Sequence, residues 1–122
     1  MELEVLVATM NREDFSLVEK MNLRRSAVIA NQCGRWGAET LEQGDVRIRM
    51  ISSDTRGVGV NRNLALQAAE GDILLFADDD ITYYDADLAP VAQAFRELPQ
   101  ADVIFFAIDM TRDGKVFDPR RH

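Results

Sequence analysis

Residues Gly71–Asp80 read GDILLFADDD, an apolar run followed by three aspartates. Its apolar run Ile73–Ala77 has no polar interruption, which is typical of a strand that is buried on both faces. Three carboxylates follow directly, Asp78, Asp79 and Asp80. Successive side chains of an extended chain point to opposite faces, so Asp78 and Asp80 are expected to converge while Asp79 turns away. The stretch therefore predicts a core strand that brings two carboxylates to one site.

Two converging carboxylates repel each other unless a cation lies between them. Hard cations such as Mg2+ or Mn2+ take oxygen ligands and commonly bridge carboxylates to phosphate oxygens. The alternative is a solvated acidic loop after a core strand. For an isolated run of three aspartates, that alternative has a probability of roughly one half. The segments on either side shift the balance towards a binding site.

Four further segments have the composition of strands. They are Leu3–Thr9, Ala27–Asn31, Val46–Ser52 and Asp102–Ile108. Val46–Ser52 alternates apolar and basic residues, which favours a position near a sheet edge. Asp113–Gly114 marks a tight turn that could close a hairpin with Lys115–Phe117.

Three segments have a helical pattern. Asp14 is a candidate N-cap for a short helix that runs through Met21. A second helix starts at Val58 and is expected to stop at Gly71, and a third begins at about Asp85. One face of the second helix carries four apolar residues, Val60, Leu64, Ala65 and Ala68.

Strands that alternate with helices predict an α/β fold, a mostly parallel Rossmann-like sheet with helices on both faces. The weak pattern between Gly34 and Gly44 predicts a loop or an irregular helix. In such sheets the ligand binds beyond the carboxyl ends of the strands. Three polar clusters fall at those ends, Thr9–Arg12, Asn31–Gln32 and Asp78–Asp80. Their coincidence predicts a functional site without naming its reaction.

Composition restricts the function classes. The chain has 122 residues, of which 47% are hydrophobic, enough for one domain with a core. Its formal net charge of −7 argues against a nucleic-acid partner. A phosphate-bearing ligand would then need a divalent cation, helix N-termini or nearby arginines.

Sequence features also predict the compartment. The single cysteine, Cys33, excludes an internal disulfide and fits a reducing environment. No apolar run approaches the ~20 residues of a transmembrane segment, and the acidic N-terminus lacks the positive region of a signal peptide. We therefore expect a cytoplasmic protein.

Residues 57–80, GVGVNRNLALQAAEGDILLFADDD, resemble the nucleotide-sugar-binding region of GT-A-fold glycosyltransferases of family 2. In that family a glycine-rich loop opens a helix with Arg-Asn, here Arg62–Asn63. Gly-Asp, here Gly71–Asp72, ends the helix, and an apolar strand leads into the DXD motif, here Asp78–Asp80. The N-terminal VLVATMNR is similar to the family's first strand and loop. Asn31–Gln32 is a variant of the Asp-Asp that commonly ends the second strand.

The resemblance implies an activity and its cofactor. The activity is transfer of a sugar, with inversion, from a nucleoside diphosphate sugar to a saccharide or lipid-linked acceptor. UDP is the first nucleotide to consider, polysaccharide biosynthesis is the implied setting, and Mn2+ or Mg2+ is the implied cofactor. A divalent cation would stabilise the charge that develops on the nucleoside diphosphate as it leaves.

The resemblance also implies residue roles. The nucleotide-sugar-binding residues would be Thr9, Asn11, Arg12, Asn31, Arg62, Asn63, Asp78 and Asp79. Asp80 and Asp78 would be the metal ligands. For Arg62 the alternative is a surface salt bridge to a nearby carboxylate, with a probability of roughly one third. Tyr83 and Tyr84 could stack on a base or sugar, although packing is the commoner role of such residues.

Members of the family are usually longer, and their second half supplies the acceptor site and a catalytic carboxylate. Residues 1–122 are therefore expected to form the nucleotide-sugar-binding domain without the acceptor-binding part. The catalytic base is unknown, because neither Asp109 nor Asp113 lies in a matching motif. Apolar surface left open by a missing half could drive homo-oligomer formation.

Two other functions remain open. The absent base supports a non-catalytic module that binds a nucleotide sugar or a metal. The length and the acidic cluster also suggest a phosphorylatable receiver-like regulator. A receiver, however, has paired acids after its first strand, where this chain has Thr9–Arg12, so this is the weakest hypothesis.

Overall fold

Five strands of the unit Met1–Ala92 form one sheet. The computed structural model describes residues 2–97, 108–110 and 115–117. The strands are β1 (Leu3–Met10), β2 (Ala27–Gln32), β3 (Gly37–Gln43), β4 (Val46–Ser53) and β5 (Ile73–Asp78). Their order is β3-β4-β2-β1-β5, and all pairs are parallel except the antiparallel pair β3–β4. The predicted α/β class with a mostly parallel sheet is confirmed.

Helices α1 (Ser16–Met21) and α2 (Val58–Ala68) cover opposite faces of this sheet. A third helix, α3 (Asp85–Glu97), follows β5 along the chain. Because alternate side chains of a strand point to opposite faces, Val5 of β1 packs in a cluster with Leu17 of α1, whereas Leu6 packs with Ala65 of α2. Both clusters are made of buried aliphatic side chains. None of the described helices is long and apolar enough to cross a membrane.

The register of the sheet aligns the carboxyl ends of its strands. Thr9 pairs with Asn31, Asn31 pairs with Ser52, and Ala8 pairs with Asp78. Since β1, β2, β4 and β5 run in the same direction, the polar residues that end them lie at one edge of the sheet.

Strand β5 is not the fully buried strand that its composition predicts. Within the described residues it pairs only with β1 and so lies at the edge of the sheet. Ile73 and Ala77 are buried, but Phe76 is 48% exposed. Helix α2 packs mainly over β1 and β2, which leaves β5 less covered. An apolar run therefore does not distinguish a central strand from a partly covered edge strand.

The prediction of a loop or irregular helix between Gly34 and Gly44 is wrong, because this segment contains β3. Six of the seven residues in the strand are exposed, and only Leu41 is half-buried. A strand without a buried face carries no apolar alternation, so its sequence shows no strand pattern. Its partner Val46–Ser53 lies next to the edge that β3 forms.

The first two helices differ from prediction in detail. Asp14 is not the N-cap of α1, a position that Phe15 holds; instead its Oδ1 accepts a hydrogen bond of 3.0 Å from the backbone N–H of Ser16. Hydrogen bonding from Ser16 lowers the pKa of Asp14. In α2 the predicted apolar face is shifted, because Val60 is exposed while Asn61 is buried.

The end of α2 is attached to the sheet by a buried carboxylate. Glu4 of β1 accepts hydrogen bonds at Oε1 from the backbone N–H groups of Glu70, at 2.7 Å, and Gly71, at 3.1 Å. Arg49 of β4 lies 3.4 Å from Oε2 of Glu4 and donates to the carbonyl oxygen of Ala68 at 2.6 Å. The helix ends at Ala68, so the prediction that it stops at Gly71 is wrong. Gly71 is required because the chain passes close to Glu4.

The unit Gln93–His122 contains a two-stranded hairpin among its described residues. Strands β6 (Ile108–Met110) and β7 (Lys115–Phe117) are antiparallel, as predicted for Lys115–Phe117. The predicted turn Asp113–Gly114 and the predicted strand Asp102–Ile108, apart from Ile108 itself, lie outside the described residues.

Replacement of Gly71 by alanine tests the close approach to β1. An added Cβ would lie 2.6 Å from the Cβ of Glu4 and 3.1 Å from its backbone nitrogen. We expect Gly71→Ala to lower the free energy of unfolding by about 1–3 kcal/mol, measured by urea denaturation. Gly59→Ala is the control, because a Cβ there meets nothing within 4 Å in helix α2. That variant should be at least as stable as the wild type. Equal stability of Gly71→Ala and the wild type would contradict the argument.

Candidate functional site

The three predicted polar clusters meet at the carboxyl ends of β1, β2 and β5. Thr9 and Asn31 are buried at this edge, while Asp78 and Asp80 are exposed. The contacts between the clusters join residues that are distant in the sequence, such as Thr9 and Asp79. The fold therefore brings residues of these clusters into contact.

Asn31 holds the chain that leaves β1. It is 0% exposed, and its Oδ1 accepts a hydrogen bond of 3.0 Å from the backbone N–H of Arg12. Its Nδ2 donates to the carbonyl oxygen of Arg12 at 2.9 Å and to Oγ of Ser52 at 3.3 Å. Asn11 adopts a positive φ of 57°, a conformation that asparagine tolerates better than most residues. Asn31 therefore acts on the site through the backbone of Arg12.

Thr9, Arg12 and Asp79 form one hydrogen-bonded group. The hydroxyl of Thr9 donates to Oδ2 of Asp79 at 2.8 Å and accepts from Nε of Arg12 at 2.9 Å. Nη2 of Arg12 lies 3.4 Å from the same carboxylate oxygen. Asp79 is therefore directed towards the end of β1, where a threonine and an arginine hold it.

Asp78 and Asp80 are not placed by strand alternation, because β5 ends at Asp78 and the next two residues form a turn. Asp78 lies 3.7 Å from the guanidinium of Arg62, and the two side chains are 58% and 51% exposed. The salt bridge considered for Arg62 is therefore present. Asn63 is exposed on the next position of α2.

Tyr83 fixes the chain after the acidic turn. Its hydroxyl accepts a hydrogen bond of 3.1 Å from the backbone N–H of Asp78. Its backbone N–H donates to the carbonyl oxygen of Met21, and its own carbonyl accepts from Nδ2 of Asn22, both at 2.8 Å. The ring packs against the core. Burial raises the pKa of Tyr83, and the carboxylates of Asp78 and Asp80 add to this effect.

Gln32 holds the loop that leads into α2. Its Nε2 donates to the carbonyl oxygen of Gly57 at 2.9 Å and to Oγ1 of Thr55 at 3.3 Å. The hydroxyl of Thr55 in turn lies 2.7 Å from that of the buried Ser53. The two amides that end β2 thus fasten two different loops, Asn31 the loop after β1 and Gln32 the loop before α2.

The carboxylates present suit a hard cation as partial ligands. Asp78 and Asp80 are exposed and supply oxygen atoms, which are the donors that Mg2+ and Mn2+ prefer. Asp79 is occupied by Thr9 and Arg12. Within the described part of the chain no three His, Cys, Asp or Glu side chains form a group that could hold a metal by themselves. A cation at this edge would take further ligands from water or from phosphate.

Two residues of the site lie outside the predicted set of ligand-binding residues. Tyr83 packs against the core, the commoner role expected of it, but nothing in the sequence indicates its hydrogen bond with the backbone N–H of Asp78. Asn61 is buried in the first turn of α2 and was not predicted at all. Its signal in the sequence is a polar residue on the predicted apolar face of a helix.

Comparison with known families identifies one match. The family described as Glycosyl transferase family 2 matches residues 37–122, more than two thirds of the chain. The match includes Arg62–Asn63 and Asp78–Asp80 but begins after Thr9, Arg12 and Asn31. No curated protein sequence and no solved structure matches the chain.

Asn31→Asp tests whether the amide of Asn31 is needed as a donor. A carboxylate at this position can still accept from the N–H of Arg12 but would face the carbonyl oxygen of Arg12. We expect a loss of about 1–3 kcal/mol in the free energy of unfolding at pH 7. A buried carboxyl that donates when neutral has a raised folded-state pKa, so the loss relative to the wild type should shrink as the pH falls.

Urea denaturation at pH 7 and at pH 5 measures both effects. Ser52→Ala is the control, since it removes only the weaker contact of 3.3 Å with Asn31. If Asn31→Asp were as stable as the wild type at pH 7, the proposed donor role would be excluded.

Proposed function

The chain belongs to glycosyltransferase family 2, and we propose that it binds a nucleoside diphosphate sugar at the edge formed by Thr9–Arg12, Arg62–Asn63 and Asp78–Asp80. The reaction is transfer of the sugar to a saccharide or lipid-linked acceptor with inversion. UDP is the nucleotide that we would test first. The observation that supports the proposal best is the presence of two arginine–aspartate pairs, Arg12–Asp79 and Arg62–Asp78, at the carboxyl ends of parallel strands.

The two arginines give this edge its affinity for phosphate. The chain as a whole has a net charge of −7, which opposes the approach of a diphosphate. Arg12 lies within 4 Å of Asp79 and Arg62 lies within 4 Å of Asp78, so each of these carboxylates has a guanidinium beside it. Guanidinium groups bind phosphate oxygens through two parallel hydrogen bonds.

Arg62 can exchange its carboxylate partner for a phosphate oxygen. Its pair with Asp78 is long, at 3.7 Å, and more than half of each side chain is exposed. Exposed pairs of this kind contribute only about 0–1 kcal/mol. A diphosphate oxygen can therefore replace Asp78 as the partner of Arg62 at little cost. Asn63, exposed beside it, would face the sugar side.

A divalent cation, Mn2+ or Mg2+, fits the exposed carboxylates of Asp78 and Asp80. When bound, it would neutralise negative charge on the leaving nucleoside diphosphate. Thr9 and Arg12 keep Asp79 turned towards β1, and Tyr83 holds the backbone of Asp78. These contacts keep the acidic turn in one conformation, so that Asp78 and Asp80 need little reorganisation to receive a ligand.

Thr9, Asn11 and Arg12 form the proposed wall of the nucleotide pocket. Asn31 supports this wall by its two hydrogen bonds with the backbone of Arg12. The left-handed backbone at Asn11 turns the chain away from β1 and allows Arg12 to fold back on Thr9. The nucleotide would thus meet a loop whose shape is set before it binds.

Calorimetric titration with UDP, with and without Mn2+, tests the metal-dependent donor site. We expect the wild type to bind UDP more tightly with Mn2+ and Asp80→Ala to lose this dependence. Asp45→Ala is the matched control, because Asp45 is an exposed aspartate between β3 and β4 at the other end of the sheet. Failure of the wild type to bind either UDP or GDP, with or without Mn2+, would overturn the proposal.

Arg62→Ala tests the phosphate contact. Loss of a charge-assisted hydrogen bond should weaken UDP binding by roughly 10- to 100-fold, with a much smaller effect on uridine. Arg47→Ala is a closely matched control, because Arg47 pairs with Glu70 and the two side chains are 51% and 61% exposed. If both variants weakened UDP binding equally, the effect would come from the change in net charge and not from a contact at the site.

Donor hydrolysis separates the transferase from a non-catalytic binding module. A competent transferase usually releases sugar to water at a slow rate, whereas a binding module releases none. Release of UDP from a UDP-sugar that stops in Asp80→Ala would support transfer. Metal-dependent UDP binding without any release would favour the module.

A further inference from the structure

Asn61 links helix α2 to two strands of the sheet. It is 2% exposed, in the first turn of the helix. Its Nδ2 donates to the carbonyl oxygen of Thr9 at 3.1 Å and to that of Ala30 at 2.9 Å. Both partners can only accept, so they fix which end of the amide carries the nitrogen. One side chain therefore joins the start of α2 to the carboxyl ends of β1 and β2.

These contacts connect Asn61 to both arginine–aspartate pairs of the site. The carbonyl of Thr9 binds Asn61, while the hydroxyl of the same residue binds Asp79 and Arg12. The next residue along the helix is Arg62, which pairs with Asp78. Movement of the Asn61 amide would therefore change the position of both arginine–aspartate pairs.

Stability alone does not explain an asparagine at this position. Oδ1 of Asn61 is buried and accepts no hydrogen bond from the described residues. A buried acceptor without a donor is costly. Ala65 lies one turn further along the same face of α2 and is buried without this cost. The retained cost indicates that the two donated hydrogen bonds serve to place the helix.

We propose that Asn61 is a positioning residue for the diphosphate-binding groups of this site. Through the carbonyls of Thr9 and Ala30 it sets the distance of α2 from the strand ends, and thereby the position of Arg62 relative to Arg12. The proposal rests on the function proposed above for what the site binds. The positional coupling itself is a property of the protein without ligand.

Native-state hydrogen exchange in the free protein tests the coupling. The N–H of Asn11 donates to the carbonyl of Gln32, and that of Arg12 donates to Asn31. In Asn61→Ala we expect these two amides to exchange about tenfold faster or more, as for the loss of one to two hydrogen bonds. Ala65→Gly loosens the same helix without touching the Asn61 amide, and should change them by less than about twofold.

The second measurement is UDP affinity in the presence of Mn2+. We expect Asn61→Ala to bind UDP about tenfold more weakly, and Ala65→Gly to bind it like the wild type. Should Asn61→Ala fail to fold, Asn61→Ser keeps one donor and is measured in its place, with an intermediate effect expected. Unchanged exchange at Asn11 and Arg12, or an equal change in Ala65→Gly, would overturn the positional role. Failure of the wild type to bind UDP or GDP, together with the expected exchange pattern, would overturn the proposed ligand and leave the coupling intact.

Discussion

The parallel pairing of β1 with both β2 and β5 determines where the polar residues of this sheet meet. It puts the carboxyl ends of three strands at one edge, with Thr9 level with Asn31 and Ala8 level with Asp78. Strands that end together leave their last carbonyl and N–H groups in need of partners. Asn31 and Asn61 supply them for Arg12, Thr9 and Ala30. The site is thus built on the way in which the sheet ends.

The charged side chains of the site lie next to the hydrogen bonds of Asn31 and Asn61. Asp79 is held from β1 by Thr9 and Arg12, while Asp78 faces Arg62 of α2 and is held at its backbone by Tyr83. Asp78 and Asp79 therefore contact different elements of the fold. Only the exposed pair, Asp78 and Asp80, is left to contribute oxygen ligands. The three consecutive acidic residues thus differ in role: Asp79 makes contacts within the fold, whereas Asp78 and Asp80 are the proposed ligands.

The sequence predicts those features that local patterns encode. Strands of parallel sheets are rich in valine, isoleucine and leucine, so β1, β2 and β5 could be recognised, and topology then predicts a site at their carboxyl ends. Strand β3 has no buried face and gave no pattern. The exposure of Phe76 depends on which elements lie beside β5, which composition does not contain.

Side-chain partners across the fold were equally hidden. Asn61 bonds to carbonyls 52 and 31 residues away, and backbone acceptors have no signature in the sequence. The contacts of Asp79 with Thr9 and Arg12 have no signal in the sequence either, because alternation applies only while the strand continues and β5 stops at Asp78.

The neutral amides at the end of β2 follow from the need of the strand ends for hydrogen-bond partners. Asn31 must both accept from and donate to Arg12, which an ionised aspartate cannot do. Further carboxylates beside Asp78–Asp80 would also add to the repulsion that a diphosphate meets on a chain of net charge −7. The variant Asn31–Gln32 therefore serves the hydrogen bonding and the electrostatics of the proposed site together.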